Sequence, residues 1–287
     1  MSSRKTRRWV LGGGVVSLGL SVLGVRSAFG VRRLHVQATA TREDIDTEFA
    51  SLLSVLVHRG AVRWEVAASP VYRARIEALY AAYAETGPLT NPERFTTEHS
   101  RLAFGINAYN LLVVVAVLRH WPIGKVGDVR GTIEPRALFG FFYGLRLRLD
   151  GRWVHLYGHE RGLFAKWPDT RIHAAINCAS ASCPPLVPRP FVPENLDQQL
   201  DAACADWLRG DGVVRKDTTS RSLTLPPLLG LYPGEFGAEA SDHGWGQSDF
   251  DWVLHWLEPG RASALRALRE SGWSLTIPPY DWALSGS

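Results

Sequence analysis

The longest apolar pattern in the chain runs from His99 to His120. Apolar residues cover nearly every side of a helix in this stretch, which predicts a central helix buried in the core. Asn107 and Asn110 interrupt the apolar residues, and they argue against a membrane span. Because buried amides need hydrogen-bond partners, we expect both asparagines mainly to tie down neighbouring loops. The alternative is that one of them borders a functional site.

Shorter patterns predict the remaining helices and strands. Apolar residues recur at helical spacing over 41–57, 71–84, 158–164, 193–208, 250–257 and 261–268. Apolar and polar residues alternate over 145–149, and Asp150-Gly151 predicts a hairpin turn into a strand over 153–156. Further short strands are expected over 213–214, 223–225 and 275–277. This mixture predicts an α+β fold, in which helices pack on a small, mainly antiparallel sheet.

The stretch from 169 to 186 joins an apolar run to a cluster of reactive side chains. Its apolar part, 172–176, is short and predicts a buried strand that carries His173. Pro184 and Pro185 end regular structure after the cluster. Polar and thiol side chains lie between the predicted strand and the prolines: Asn177, Cys178, Ser180, Ser182 and Cys183. No other stretch of the sequence brings a nucleophile and a base so close together.

Composition and charge exclude some classes of protein. With 287 residues, 46% of them hydrophobic, the chain can bury a full core. The formal charge of +4 is located at the N-terminus, because residues 1–33 hold seven basic residues and no acid. Without those seven, 25 basic residues face 28 acidic ones, a net charge of −3. The body of the chain therefore lacks the basic excess that nucleic-acid binding requires.

The N-terminus has the features of an export signal. Arg7 and Arg8 precede a glycine-diluted apolar stretch over 9–25, which is similar to a twin-arginine signal, and small residues at 28–30 offer a cleavage point. An uncleaved anchor in the inner membrane is the alternative, since the 17 residues of this stretch are at the short limit for a span. We expect residues 1–30 to be a signal or anchor, and 31–287 to be one domain in the periplasm or cell envelope.

The reactive cluster supports a cysteine nucleophile. A thiolate needs a neighbour that lowers its pKa, and His173 could serve as the base for Cys178 across the turn. Glu160 is the nearest upstream carboxylate that could orient the imidazole. Backbone N–H groups at Ala179 and Ser180 are candidates for an oxyanion site.

Two other chemistries are open for the same residues. Cys178 and Cys183 could form a structural disulfide in an exported protein. Zinc could be held by His173 and the two cysteines, but their spacing matches none of the common zinc patterns. We therefore expect neither a metal nor a cofactor.

Four stretches resemble the DUF547 family, which is named as a domain of unknown function. The most specific covers 171–186, and the others are 103–110, 196–200 and 280–284, in the same order as in the family. The resemblance covers roughly residues 65–284. The family usually has Ile-Glu-His where this chain has His159-Glu160-Arg161, so the carboxylate is kept and the following histidine is replaced.

The resemblance implies a papain- or transglutaminase-like fold with a rearranged cysteine-hydrolase site. The expected function is a thiol-dependent hydrolase or transferase acting on an amide or peptide-like bond in the cell envelope. The substrate would be peptide-like or a small amide. Expected binding residues are Asn177, Ser180, Cys183, Asn107 and Asn110. The alternative is a non-catalytic envelope domain, in which a Cys178–Cys183 disulfide shapes a peptide-binding cleft.

The export signal generates a first prediction. Replacing Arg7 and Arg8 together by lysine should block export, because twin-arginine translocation depends on that pair. Cell fractionation measures the distribution of the protein, and the mature N-terminus should lie near Val31 if the signal is cleaved. Unchanged export of the double variant would contradict the prediction.

Overall fold

The computed structural model describes residues 42–130, 139–210 and 212–286, all within one compact unit of the chain; the predicted export signal at 1–30 lies outside these residues. The α-helices are α1 (Arg42–Leu56), α2 (Trp64–Ala68), α3 (Pro70–Glu85), α4 (Glu98–His120), α5 (Leu156–Lys166), α6 (Ile172–Ala175), α7 (Leu196–Arg209), α8 (Glu235–Asp242), α9 (Asp249–Trp256) and α10 (Pro259–Glu270). The strands are β1 (Val57–His58), β2 (Ala61–Val62), β3 (Leu147–Leu149), β4 (Arg152–Val154), β5 (Arg215–Asp217), β6 (Ser222–Thr224) and β7 (Ser274–Thr276).

This combination of helices and short strands confirms the α+β class. The strands do not form the single sheet that we expected, because β1–β2, β3–β4 and β5–β6–β7 are separate sheets. Their pairings are antiparallel except for the parallel pair β6–β7. The described residues therefore give no support to the papain- or transglutaminase-like analogy. The predicted hairpin is observed, with β3 and β4 joined through Asp150-Gly151.

Helix α4 is the centre of the core, as its apolar pattern predicts. It begins with a reciprocal cap: the Ser100 N–H donates to Thr97 Oγ1 at 3.0 Å, and the Thr97 N–H donates to Ser100 Oγ at 3.2 Å. Among the described residues, α4 is long and apolar enough to cross a membrane, but 89% of its apolar window is buried inside the protein. Gly105 permits close contact with α5, because a Cβ at this position would lie 2.5 Å from Leu163 Cδ2.

The two asparagines of α4 tie down loops, which confirms their expected role. Asn107 Nδ2 donates to the Phe191 carbonyl at 2.8 Å, and the Phe191 N–H donates back to Asn107 Oδ1 at 2.9 Å. Asn110 Nδ2 donates to the Ala175 carbonyl at 2.9 Å, and the Asn177 N–H donates to Asn110 Oδ1 at 2.8 Å. Each buried amide thus forms hydrogen bonds with backbone groups that have no partner within a helix or a sheet.

The segment that carries His173 is a helix, so the predicted strand over 172–176 is wrong. Helix α6 occupies Ile172–Ala175, and only Ile176 has extended backbone angles. All four helical residues are buried. Periodicity cannot separate a strand from a buried helical turn when every position of a short run is apolar. Strand β5 also begins at Arg215, one residue beyond the predicted 213–214.

The asparagine hydrogen bonds generate a second prediction. Asn107→Leu should lower the free energy of unfolding by about 1–3 kcal/mol, because it leaves the buried N–H and carbonyl of Phe191 without partners. Chemical denaturation followed by circular dichroism measures the change. Asn195→Leu is the control: Asn195 is exposed and its side chain caps no helix. Equal stability of the Asn107→Leu variant and the wild type would contradict the proposed role.

Candidate active site

The amide of Asn177 organises the loop that carries the cysteines. Its Oδ1 accepts from the Ala179 N–H at 2.8 Å, and its Nδ2 donates to the Pro184 carbonyl at 2.7 Å. The side chain therefore bridges the two ends of the loop, while its backbone N–H is held by Asn110. Ala179, directly after Cys178, has a left-handed backbone with φ of +66°. This conformation is unfavourable for a residue with a Cβ, and the surrounding hydrogen bonds maintain it.

The C-terminal segment completes the loop from the other side. The Ala181 N–H donates to the Ala283 carbonyl at 2.7 Å, and the Ser285 N–H donates to the Ala179 carbonyl at 2.9 Å. The Asp281 N–H donates to Ser182 Oγ at 2.9 Å. These bonds bring together 171–186 and 280–284, two of the stretches on which the family resemblance rests. They also place the neighbouring Tyr280 next to the cysteines.

The sulfur of Cys178 is surrounded by three polar groups. Ser180 Oγ lies at 3.0 Å, Cys183 Sγ at 3.1 Å and the Tyr280 hydroxyl at 3.3 Å. The Tyr280 and Ser180 hydroxyls are in turn 2.8 Å apart. Both cysteines are free thiols and partly buried, and the Cys178 N–H points at Cys183 Sγ at 3.0 Å. The arrangement can stabilise one negative charge on sulfur.

That charge belongs to Cys178. Hydrogen bonding from the Cys183 thiol outweighs burial and lowers the pKa of Cys178 to about 7, with further help from Ser180 and Tyr280. Burial, followed by the effect of Cys178, raises the pKa of Cys183 well above its ordinary value. Burial also raises the pKa of Tyr280, so its hydroxyl keeps the proton that it can donate to the thiolate. Cys178 is the more nucleophilic of the two near neutral pH.

A cavity of about 370 Å³ gives access to this group. Cys178, Cys183, His173 and Glu160 all line it, so the three residues of the predicted catalytic set share one space. Much of the remaining wall is aromatic: Tyr109, Phe142, Tyr143, Tyr157, Tyr232, Tyr280 and Trp282. The size suits a small ligand or a few residues of a peptide.

Glu160 binds two tyrosines of this wall. The Tyr109 hydroxyl donates to Oε2 at 2.9 Å, and the Tyr232 hydroxyl donates to Oε1 at 2.7 Å. Burial, together with the Glu160 charge, raises the pKa of both tyrosines, which keeps them protonated as donors. The carboxylate thus orients phenols, and we had expected it to orient the imidazole of His173.

His173 is held by a different carboxylate. Its Nε2 lies 3.3 Å from Glu235 Oε2, and this contact lowers the pKa of Glu235. The imidazole is enclosed by aromatic rings, with centroids at 4.2 Å for Phe164 and 4.1 Å for Tyr232. The described hydrogen bonds therefore do not form the expected chain from Glu160 through His173 to Cys178. Tyr232 connects the groups instead, because it donates to Glu160 and packs on His173.

Sequence reasoning missed Tyr280, Glu235, Tyr109 and Tyr232. Tyr280 and Tyr109 lie inside stretches that resemble the family, and that signal could have identified them. Glu235 and Tyr232 are 62 and 72 positions from the groups that they bind, and no motif marks them.

The expected oxyanion site needs a correction. The Ala179 N–H is already bonded to Asn177 Oδ1, and the backbone N–H of Ser180 supports the sulfur of Cys178. The Ala179 N–H is therefore not a free donor. In the part of the chain that the structure describes, no group of three or more histidine, cysteine, aspartate or glutamate side chains is arranged to hold a metal ion.

Residues 92–208 match the family described as "Protein of unknown function, DUF547". This match confirms the resemblance for the three stretches at 103–110, 171–186 and 196–200, whereas 280–284 lies beyond it. Comparisons with the curated proteins and with the solved structures found no significant match. The family description names no activity.

The thiol pair generates a third prediction. Alkylation of Cys178 by iodoacetamide should rise with pH through a midpoint at about 7 and level off above it, because the rate follows the thiolate fraction. Cys183→Ala should move this midpoint upward, since burial then acts on Cys178 without the stabilising thiol. Mass spectrometry of the labelled peptides measures the rate at each site.

The control for this experiment is Cys204→Ala, at a fully buried cysteine whose own pKa burial raises. It should leave the midpoint of Cys178 unchanged. Preferential labelling of Cys183, or an unaltered midpoint in Cys183→Ala, would contradict the assignment.

Proposed function

We propose that this protein is a thiol-dependent hydrolase or transferase of the cell envelope that acts on an amide or peptide-like bond through Cys178. The observation that carries the proposal is the sulfur of Cys178 at the wall of a cavity, with three polar groups around it that lower its pKa to about 7. A thiolate that forms near neutral pH and can be reached by a ligand meets the main requirement for covalent catalysis. The cell-envelope location rests on the expected export signal.

The reaction would proceed through a thioester. The Cys178 thiolate attacks the carbonyl carbon, the C–N bond breaks, and the amine leaves with a proton. Water then hydrolyses the thioester, or an acceptor amine takes the acyl group. The Tyr280 hydroxyl, which accepts from the Ser180 hydroxyl, is the donor placed to stabilise charge as it moves from sulfur to the carbonyl oxygen.

His173 is the candidate group for proton transfer to the leaving amine. It lines the same cavity as Cys178 and is hydrogen-bonded to Glu235, which can stabilise the imidazolium form. Glu160 would act as a positioning residue through Tyr232, whose ring packs on the imidazole. The aromatic wall favours an apolar or aromatic group on the substrate.

A second candidate function is favoured by the distance of 3.1 Å between the two sulfurs. Oxidation of this pair would give a Cys178–Cys183 disulfide, and the domain would then be a non-catalytic binder whose disulfide shapes a peptide-binding cleft. The two functions require different redox states of the same residues. They are therefore separable by experiment.

A fourth prediction tests the covalent step. Reduced protein treated with p-nitrophenyl acetate should release one equivalent of nitrophenol in a burst and carry an acetyl group on Cys178. Cys178→Ala should abolish the burst, and Cys204→Ala should retain it. His173→Ala should keep the burst, because the phenolate leaves without a proton, but should slow any amide turnover by about 10²–10⁴-fold.

The redox state of the purified, exported protein decides between the candidates. Two titratable thiols and an acetylated Cys178 support the enzyme. Two results together would contradict the enzyme. The protein would react with neither a thiol reagent nor p-nitrophenyl acetate until a reductant is added, and mass spectrometry would show a 178–183 disulfide.

A further inference from the structure

A larger cavity, of about 510 Å³, lies against the other side of α5. The helix contributes Tyr157, Glu160 and Arg161 to the cysteine cavity. It contributes a different set to the larger one: Gly158, His159, Gly162, Leu163 and Lys166. The second space therefore has its own wall, and none of the candidate catalytic groups lines it.

Positive charge dominates this wall. Its charged side chains are Arg101, Arg146, Arg152 and Lys166, against a single acid, Asp150. The carboxylate of Asp150 is occupied, since its Oδ2 accepts from the Leu89 N–H at 2.7 Å and its Oδ1 from Thr90. It is also buried and serves to fix that turn.

The four cations differ in how far they are already neutralised. Arg101 and Lys166 share one partner, Glu98, at 2.6 and 3.1 Å. Arg146 and Arg152 are exposed and make no ion pair with the described residues. The wall therefore keeps an excess of positive charge, and two guanidinium groups have unused donors for an anion.

The shape of the cavity adds a second requirement for the ligand. Gly162 opens the α5 side, because a Cβ placed there would meet nothing within 4 Å. Trp153 is 63% exposed on the wall, and Trp167 also lines it. The exposed indole of Trp153, whose ring centroid lies 5.9 Å from the Arg148 guanidinium, provides a flat surface on which a ring can stack.

We infer that this cavity is a binding site for a ring-bearing polyanion, with the anionic groups on Arg146 and Arg152 and the ring against Trp153. A phosphorylated sugar and an acidic oligosaccharide share this chemistry. The site is independent of the thiol chemistry, because the two cavities use different faces of α5. A protein that bound a polyanion through this cavity would keep Cys178 accessible.

The test is titration of the full chain, followed by tryptophan fluorescence and calorimetry. The probes are fructose 1,6-bisphosphate and digalacturonate, which distinguish the two sources, and pyrophosphate, which carries charge without a ring. We expect saturable binding of at least one ring-bearing probe, tighter than that of pyrophosphate. Arg146→Gln and Arg152→Gln should each weaken it about tenfold or more, because each removes a charge-assisted hydrogen bond.

Arg189→Gln is the matched control, since Arg189 is exposed and lies outside this wall. It should bind like the wild type. Trp153→Leu should weaken the ring-bearing probes while leaving pyrophosphate unchanged. Absence of saturable binding by both ring-bearing probes would overturn the inference. So would equal weakening in Arg189→Gln, which would indicate attraction to net charge alone. Alkylation of Cys178 in the Arg146 and Arg152 variants should match the wild type, and it reports that they are folded.

Discussion

The candidate site depends on the need of buried amides for hydrogen-bond partners. Helix α4 is apolar on nearly all sides, so Asn110 could be accommodated only if both ends of its side chain found partners. It finds them in the Ala175 carbonyl and the Asn177 N–H, on either side of the bend between α6 and the cysteine loop. The side chain of Asn177 also uses both of its ends within the loop, as an acceptor from the Ala179 N–H and as a donor to the Pro184 carbonyl. The loop of the reactive sulfur is thus fixed to the long buried helix at the centre of the core.

A second constraint follows from placing two thiols together under partial burial. Desolvation opposes charge on both sulfurs, and two adjacent thiolates would repel each other. Only one thiol can ionise near neutral pH, and the other then becomes its hydrogen-bond donor. Ser180 and Tyr280 lie beside Cys178 and lower its pKa further, so Cys178 is the thiol that ionises. The same proximity that favours a nucleophile also makes a disulfide possible, which explains why sequence reasoning could not choose between the two.

Helix α5 links the core to both cavities. Gly105 lets it approach α4 closely, and His159 Nε2 lies 2.8 Å from the Gly105 carbonyl, which fixes its rotation. Burial lowers the pKa of His159, so this contact is made by a neutral ring. With the rotation fixed, Glu160 faces the aromatic cavity, and Gly162 leaves open space at the wall of the basic one. One short helix therefore sets the chemistry of two separate spaces.

Four features can be predicted from the sequence alone: the central helix, the role of its asparagines, the hairpin at Asp150-Gly151 and the stretch that carries the cysteines. These follow from local periodicity and from the cost of burying polar groups, which act wherever the residues are. The tertiary structure alone decided which carboxylate meets which partner. Glu235 reaches His173 from 62 positions away, and Tyr280 reaches Cys178 from 102. Such contacts depend on how distant elements pack, and no local pattern in the sequence encodes them.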